Sequence, residues 1–394
     1  MRDRFAQRVK TASLKEQRLV SIGRIICVFI LYSLFLTPLF AQTTEMETQY
    51  NALSARFDGR DKLLQRDLKE YLQAYPYTTF LDEIHFMQGV LQVEKGHYKQ
   101  ALKVLEPIDV HALTRPHQQD YSFYRGYAYL MMQEYQRASI YFGQLSKSEN
   151  RYKVRGTYYY AYCMYKQEKY DKALPALKAI ENEPTYAKTV PYYIVQIEYA
   201  QGNYEEVKNR AETLLREHPE SLNNSELHRL LGEIAYHNGE NEVAAEHLKQ
   251  YAQAAAENAE EPVRNDMYML GMAQYKLGRY DEAVLALKKV KQENDTISEA
   301  TCLTMGNAYV QLNQPEQAKL SYQAAANYGL TPAIKEEASY NYTLCTYQSS
   351  SALGESVRAF NDFLHQFPDS KYENRIYQLL SDALMQSKNY AAAI

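Results

Sequence analysis

The 394-residue sequence predicts an all-α fold, an α-solenoid of about nine to ten helical hairpins. Three observations carry that reading. First, a small residue is followed twelve places later by Ala, from Gly89 to Ala101, Gly126 to Ala138, Ala161 to Ala173, Gly232 to Ala244, Gly271 to Ala283 and Gly306 to Ala318. Second, the later member of that pair recurs along the chain at a nearly constant distance. Third, the composition of 38 Tyr, no Trp and only 15 Gly lacks the turn residues of a compact β protein. Tyrosine suits half-buried surfaces, where the ring packs and the hydroxyl stays wet. Hydrophobic residues at 46% and charged residues at 23% are the balance of a folded chain.

The first 41 residues stand apart from the fold. Arg2, Arg4, Arg8, Lys10, Lys15, Arg18 and Arg24 form a basic leader, opposed only by Asp3 and Glu16. Ile25 to Phe40 is then a charge-free apolar run of 16 residues, short of the roughly 20 that a spanning helix needs. It ends in Leu39-Phe40-Ala41 before polar Gln42. Residues 1–41 are therefore expected to be a secretory signal cut after Ala41, with an uncleaved membrane anchor as the alternative. Cys27 follows Ile25-Ile26 at the start of the run, which is the wrong place for a lipid-anchored export signal. Taking the leader's seven basic and two acidic residues from the chain's 44 and 48 leaves a net charge near −9. With no basic block, that balance argues against nucleic acid and against anionic lipid surfaces. Cys163, Cys302 and Cys345 remain, an odd number far apart in apolar helical patterns. They exclude a disulfide framework and are expected to be buried free thiols.

Residues 42–394 form the array. The markers are Leu64, Ala101, Ala138, Ala173, Val207, Ala244, Ala283, Ala318, Ser356 and Ala393, separated by 37, 37, 35, 34, 37, 39, 35, 38 and 37 residues. Such a period means that each repeat buries its apolar face only by stacking on its neighbours. Around each small residue, apolar side chains recur at i, i+3, i+4 and i+7, the pattern of an amphipathic helix. Two helices approach closely only where side chains are small, so the small residue marks where the first helix of a hairpin meets the second. The turn between them ends the first helix with Gly or a polar residue, followed by Tyr98, Tyr135, Tyr170, Tyr204, Tyr280 or Tyr390. Pro76, Pro184, Pro219 and Pro368 fall eleven or twelve residues past a marker and stop the second helix.

This pattern resembles the tetratricopeptide repeat family. A small residue, a later Ala, a large apolar residue four beyond it and a closing Pro are met by Gly126, Ala138 and Phe142, and by Ser356, Phe360 and Pro368. Ala101 with Leu105, Ala283 with Leu287 and Ala318 with Tyr322 follow it too. The resemblance covers nearly all of residues 46–394 and implies TPR-like hairpins wound into a right-handed superhelix. The departures are the missing helix-A Trp, a weak first repeat around Leu64 and repeats longer than usual. Phe363–Ile394 and Tyr71–Leu102 share an aromatic-Pro ending, a helix and a turn tyrosine. They are similar to exported envelope proteins of outer-membrane assembly and Tol-Pal coordination. The chain stops one residue past Ala393, where an apolar stripe would lie bare, so the array is expected to be truncated at its C-terminal end.

No phosphate-cradling loop, nucleophile elbow, HExxH helix or CxxC pair occurs. No catalytic, cofactor or metal residue is expected, and no small-molecule substrate. His228, His237 and His247 lie too far apart on their helices to converge on a metal. His111 and His117 flank a Pro in a connector and are expected to be solvated or capping. Glu205-Glu206 and Glu260-Glu261 are expected on exposed helix ends, and Ala252 to Ala259 as an exposed helix tail.

The resemblance implies instead a concave surface lined by first helices, taking an extended peptide or a partner helix. Its candidate residues are Phe123 and Tyr127, then Tyr158, Tyr162 and Tyr165, then Tyr192, and later Tyr268 and Tyr275. The competing role for these rings is packing between adjacent helices. The carboxylate clamp of the chaperone-tail branch is not expected, because Asn307 is present but Leu303 replaces its Lys. The functional expectation is a non-catalytic scaffold in a Gram-negative envelope, periplasmic or outer-membrane-associated. It would bind segments of other envelope proteins, with membrane association through partners or an uncleaved amino-terminal segment. The alternatives are the sensory repeat region of a membrane-bound regulator, or a glycan-binding accessory, which the absence of Trp disfavours.

Overall fold

A computed structural model describes residues 43–61, 63–349, 353–388 and 393. The leader with Cys27, the turn residue Tyr390 and the closing Ala391, Ala392 and Ile394 lie outside them. Among the described residues every regular element is helical. None of these helices is long and apolar enough to cross a membrane.

The chain divides into two compact units, Met1–Asn182 and Glu183–Ile394. The first holds four hairpins: α1 (43–58) with α2 (Leu64–Ala74), α3 (Leu81–Glu94) with α4 (Tyr98–Leu105), α5 (Arg115–Met131) with α6 (Tyr135–Lys147), and α7 (Lys153–Lys166) with α8 (Tyr170–Lys178). The second holds α9 (Val190–Ala200) with α10 (Tyr204–Glu217), α11 (Asn224–His237) with α12 (Asn241–Glu257), and α13 (Arg264–Lys276) with α14 (Tyr280–Leu287). It continues with α15 (Thr296–Gln311) and α16 (Pro315–Tyr328), α17 (Pro332–Ser349) and α18 (Leu353–Gln366), and α19 (Glu373–Gln386).

The markers are the centre of every hairpin. Leu64, Ala101, Ala138, Ala173, Val207, Ala244, Ala283, Ala318 and Ser356 are all 0% exposed. The small residue of the first helix faces the side chain four past the marker. A Cβ on Gly89 would stand 2.3 Å from Leu105, one on Gly232 2.6 Å from Leu248, and one on Gly306 2.6 Å from Tyr322. Gly126 has more room, with 3.1 Å to Tyr141 Cβ. Before the seven markers from Ala101 to Ala318 the backbone turns five residues ahead through a left-handed residue. This is Gly at 96, 202, 239 and 278, but Gln133, Glu168 and Asn313 in three other hairpins, with φ of 60°, 56° and 56°. The predicted turn tyrosines Tyr98, Tyr135, Tyr170, Tyr204 and Tyr280 are the first residues of their second helices.

Pro76, Pro219 and Pro368 stand two residues past the ends of α2, α10 and α18, as expected. Helix α8 differs, stopping at Lys178 well before Pro184 and carrying Pro175 inside it. Ala252 to Ala259 also differs from its expectation: Ala252 and Ala255 are buried at 8% and 2% exposure, against α13 and its neighbours. A helix of alternating Ala and polar residues can be tail or core, and only the neighbouring helix decides.

Consecutive repeats are further joined by polar bonds spanning about one period. Oε1 of buried Glu83 accepts the backbone N–H of Thr114 at 2.5 Å, and Glu83 Oε2 lies 2.5 Å from His117 Nδ1. Oε1 of Glu299 accepts the N–H groups of Leu330 and Thr331 at 2.9 and 3.1 Å. In both cases a carboxylate on one first helix satisfies orphan donors leading into the next. Burial pushes the Glu83 carboxyl up, but the bonds from His117 and Thr114 outweigh it and hold it below its ordinary range. His117 is thus a buried partner of Glu83 and not a solvated connector residue.

Candidate partner-binding surface

The sequence-predicted rings divide into two groups. In the first unit Phe123 is buried at 8% exposure, stacked on Tyr152 at 4.4 Å and packed edge-on to Phe142 at 6.1 Å. It belongs to the core, contrary to a groove role, because α6 and α7 close over the face of α5 that carries it. Tyr127, Tyr158, Tyr162 and Tyr165 are half-buried. Tyr127 meets Tyr98 of the preceding hairpin at 6.3 Å, and Tyr162 meets Tyr135 in the same way at 6.3 Å. These repeated pairs arise because the first residue of a second helix reaches the first helix of the next repeat. Lys166 stands over the rings of Tyr162 and Tyr165 at 5.6 and 5.9 Å.

In the second unit Tyr192 is buried at 6% exposure and donates its hydroxyl to Asn224 Oδ1 at 3.3 Å. It too is a packing residue. Tyr268 and Tyr275 are half-buried, and burial raises the pKa of both phenols. Tyr275 packs on Tyr280 at 5.6 Å.

Sequence reasoning missed a cleft in the first unit, with a volume of about 370 Å³. Its walls come from first helices α1, α3, α5 and α7 and the residues flanking them. Leu91 and Glu94, Asp120 and Tyr124, and Tyr152 and Arg155 line it, together with Arg60 and Arg151. Arg151 pairs with buried Asp120 and lies 5.0 Å from the Tyr152 ring, while Arg155 lies 5.5 Å from the Phe123 ring. Burial, then Glu94 and Asp120, raises the Tyr124 phenol. Burial followed by Asp120 does the same for Tyr152, so both hydroxyls stay protonated donors at neutral pH. The cleft therefore offers rings, guanidinium groups and phenol donors together. Glu94, Asp120 and Arg155 lie more than one turn from the small residues Gly89, Gly126 and Ala161, where the sequence period gives no cue.

Cys163 and Cys345 are buried free thiols, and Cys302 is half-buried, with burial raising all three. Asn307 Oδ1 accepts the Tyr322 hydroxyl at 2.6 Å, which occupies it within the hairpin. His228 and His247 do converge, against expectation: their Nδ1 atoms are 2.9 Å apart. The antiparallel α11–α12 hairpin brings together residues that the sequence separates. His237 is exposed. Among the described residues no group of three His, Cys, Asp or Glu could hold a metal ion.

Stacked hairpins with a marker at the centre of each define a helical repeat protein. Residues 194–259, 267–295 and 300–328 match models of the tetratricopeptide repeat, so the second unit carries such repeats. No curated protein matches the chain. Among solved structures, the apo form of RapI is 13% identical, with a TM-score of 0.43 over 88% of this chain and 98% of that one. YrrB, described as a TPR protein with an unusual peptide-binding site, is 18% identical, with a TM-score of 0.40 over 50% and 96%. MamA of AMB-1 is 18% identical, with a TM-score of 0.37 over 45% and 92%. None of these likenesses is close enough to carry function.

Proposed function

We propose that this chain is a non-catalytic scaffold that binds extended or helical segments of other proteins on the first-helix faces of its hairpins. The observation that carries the reading is the cleft bounded by Tyr124, Tyr152, Arg60 and Arg155, with half-buried Tyr127, Tyr158, Tyr162 and Tyr165 on first helices of the same unit. Aromatic and Arg side chains are the usual anchors of protein interfaces, and truncating a true anchor costs on the order of 2 kcal/mol or more. Tyr268 and Tyr275 supply a comparable aromatic face in the second unit. The leader at residues 1–41 supports an envelope setting, so the partners proposed are envelope proteins.

Two measurements test this. Tyr127→Ala, Tyr162→Ala and Arg155→Ala are compared with the unaltered chain for melting temperature and for capture of envelope proteins. Capture lost with melting retained supports the surface; capture unchanged in all three sinks it. Amino-terminal mass analysis of the native protein addresses export separately. A start at Gln42 is expected, and an intact leader in the membrane fraction would replace the secreted form with an anchored one.

A further inference from the structure

The α11–α12 hairpin holds two imidazoles face to face. His228 sits on α11 and His247 on α12, with Nδ1 atoms 2.9 Å apart and ring centroids 5.1 Å apart. Both side chains are half-buried, so solvent reaches them. Burial is the main cause lowering both basicities, for His228 to about 4 with His247 adding to the effect. Glu246 opposes it at both rings, and Glu212 of α10 opposes it at His247. Two imidazole nitrogens brought together from facing helices, at a place solvent reaches, are the kind of donor pair a nitrogen-preferring metal takes.

We propose that His228 and His247 form a binding site for a borderline divalent transition metal of the zinc, nickel and copper class. Imidazole nitrogen suits these ions and not magnesium or calcium, which take oxygen ligands. In the metal-free pair one Nδ1–H donates to the other Nδ1. The metal takes the place of that shared proton, which moves to Nε2 of its own ring. Each imidazole keeps one proton and no net charge is released. Zinc–nitrogen bonds of about 2.0–2.1 Å in tetrahedral geometry place two ligand nitrogens roughly 3.4 Å apart. To reach that geometry the nitrogens part by about half an ångström and each ring turns so that both Nδ1 lone pairs aim at one point. Two protein ligands leave open positions for water, and the acidic side chains of Glu212 and Glu246 favour the cation electrostatically.

The test uses the full chain without an affinity tag, stripped with a chelator and dialysed. Zinc is titrated calorimetrically, with magnesium as the control ion, and imidazole nitrogen resonances are followed by NMR. One zinc per chain is expected, with shifts at the Nδ1 resonances of His228 and His247. Losing a ligand costs at least what losing a group behind it costs, so His228→Gln and His247→Gln should each weaken binding about tenfold or more. His237→Gln should bind as the unaltered chain does. Zinc affinity equal in His228→Gln or His247→Gln overturns the proposal. Imidazole resonances insensitive to zinc in the unaltered chain overturn it without recourse to any variant.

Discussion

Gly271 and Leu287 occupy one another's space: a Cβ on Gly271 would stand 2.5 Å from the leucine's Cγ and Cδ2. The same relationship holds between Gly89 and Leu105 and between Gly232 and Leu248, so it is a property of the hairpin. Gly271→Ala forces these helices apart and should cost about 1–3 kcal/mol. Gly126→Ala, with 3.1 Å to its nearest neighbour, should cost less. Because repeats couple mainly to their neighbours, hydrogen exchange should accelerate first in α13 and α14. Uniform loss of protection throughout the second unit would contradict this.

The turn residues make a prediction of opposite sign. Gln133 and Glu168 hold φ of 60° and 56° where other hairpins use Gly. The left-handed region costs a residue with Cβ roughly 1–2 kcal/mol, part of which the freer unfolded chain of glycine cancels. Gln133→Gly and Glu168→Gly should each stabilise the first unit by about 0.5–1 kcal/mol in urea unfolding. Gly278→Ala, at φ 76°, should destabilise the second.

Phe123 and Tyr127 separate packing from presentation. Phe123 is buried, so Phe123→Ala should cost about 3–5 kcal/mol and lower the melting temperature of the first unit. Tyr127→Ala removes a half-buried ring and should cost clearly less. Equal losses would place both rings in the core.

The second unit should lose stability as pH rises. Asp266 is 0% exposed, and burial, with neighbouring Glu233, raises its carboxyl to about 7 despite Arg229. The unfolded value is about 3.9, so the folded state binds the proton more tightly. That contribution is fully present below the unfolded pKa and is lost as pH climbs through 7. Urea midpoints measured from pH 5 to 8 should fall, and Asp266→Asn should flatten the trend. An unchanged slope in the variant would assign the pH dependence to other groups.

Glu299 should behave as a joint between repeats. Glu299→Ala leaves the N–H groups of Leu330 and Thr331 without their acceptor, a loss of about 1–3 kcal/mol. Faster exchange at those two amides, ahead of the amides of α17, is the readout.

By itself the sequence determined the hairpins. The contacts that define one are local: the small residue, its marker twelve later and the large side chain four beyond that all lie on two consecutive helices. A period-3.6 pattern and a fixed interval therefore suffice to find them, and the markers from Leu64 to Ser356 are all buried. Tertiary structure decided which rings are covered and which polar groups meet. Phe123 and Tyr127 sit four apart on the same helix, yet only Phe123 is closed over, because α7 brings Tyr152 onto it. Glu83 finds His117, and Glu299 finds Leu330, across a full repeat whose connector has no periodic signature. His228 and His247 meet because an antiparallel hairpin folds distant turns together. Local periodicity records which face of a helix is apolar; what covers that face depends on how the next helix is set against it.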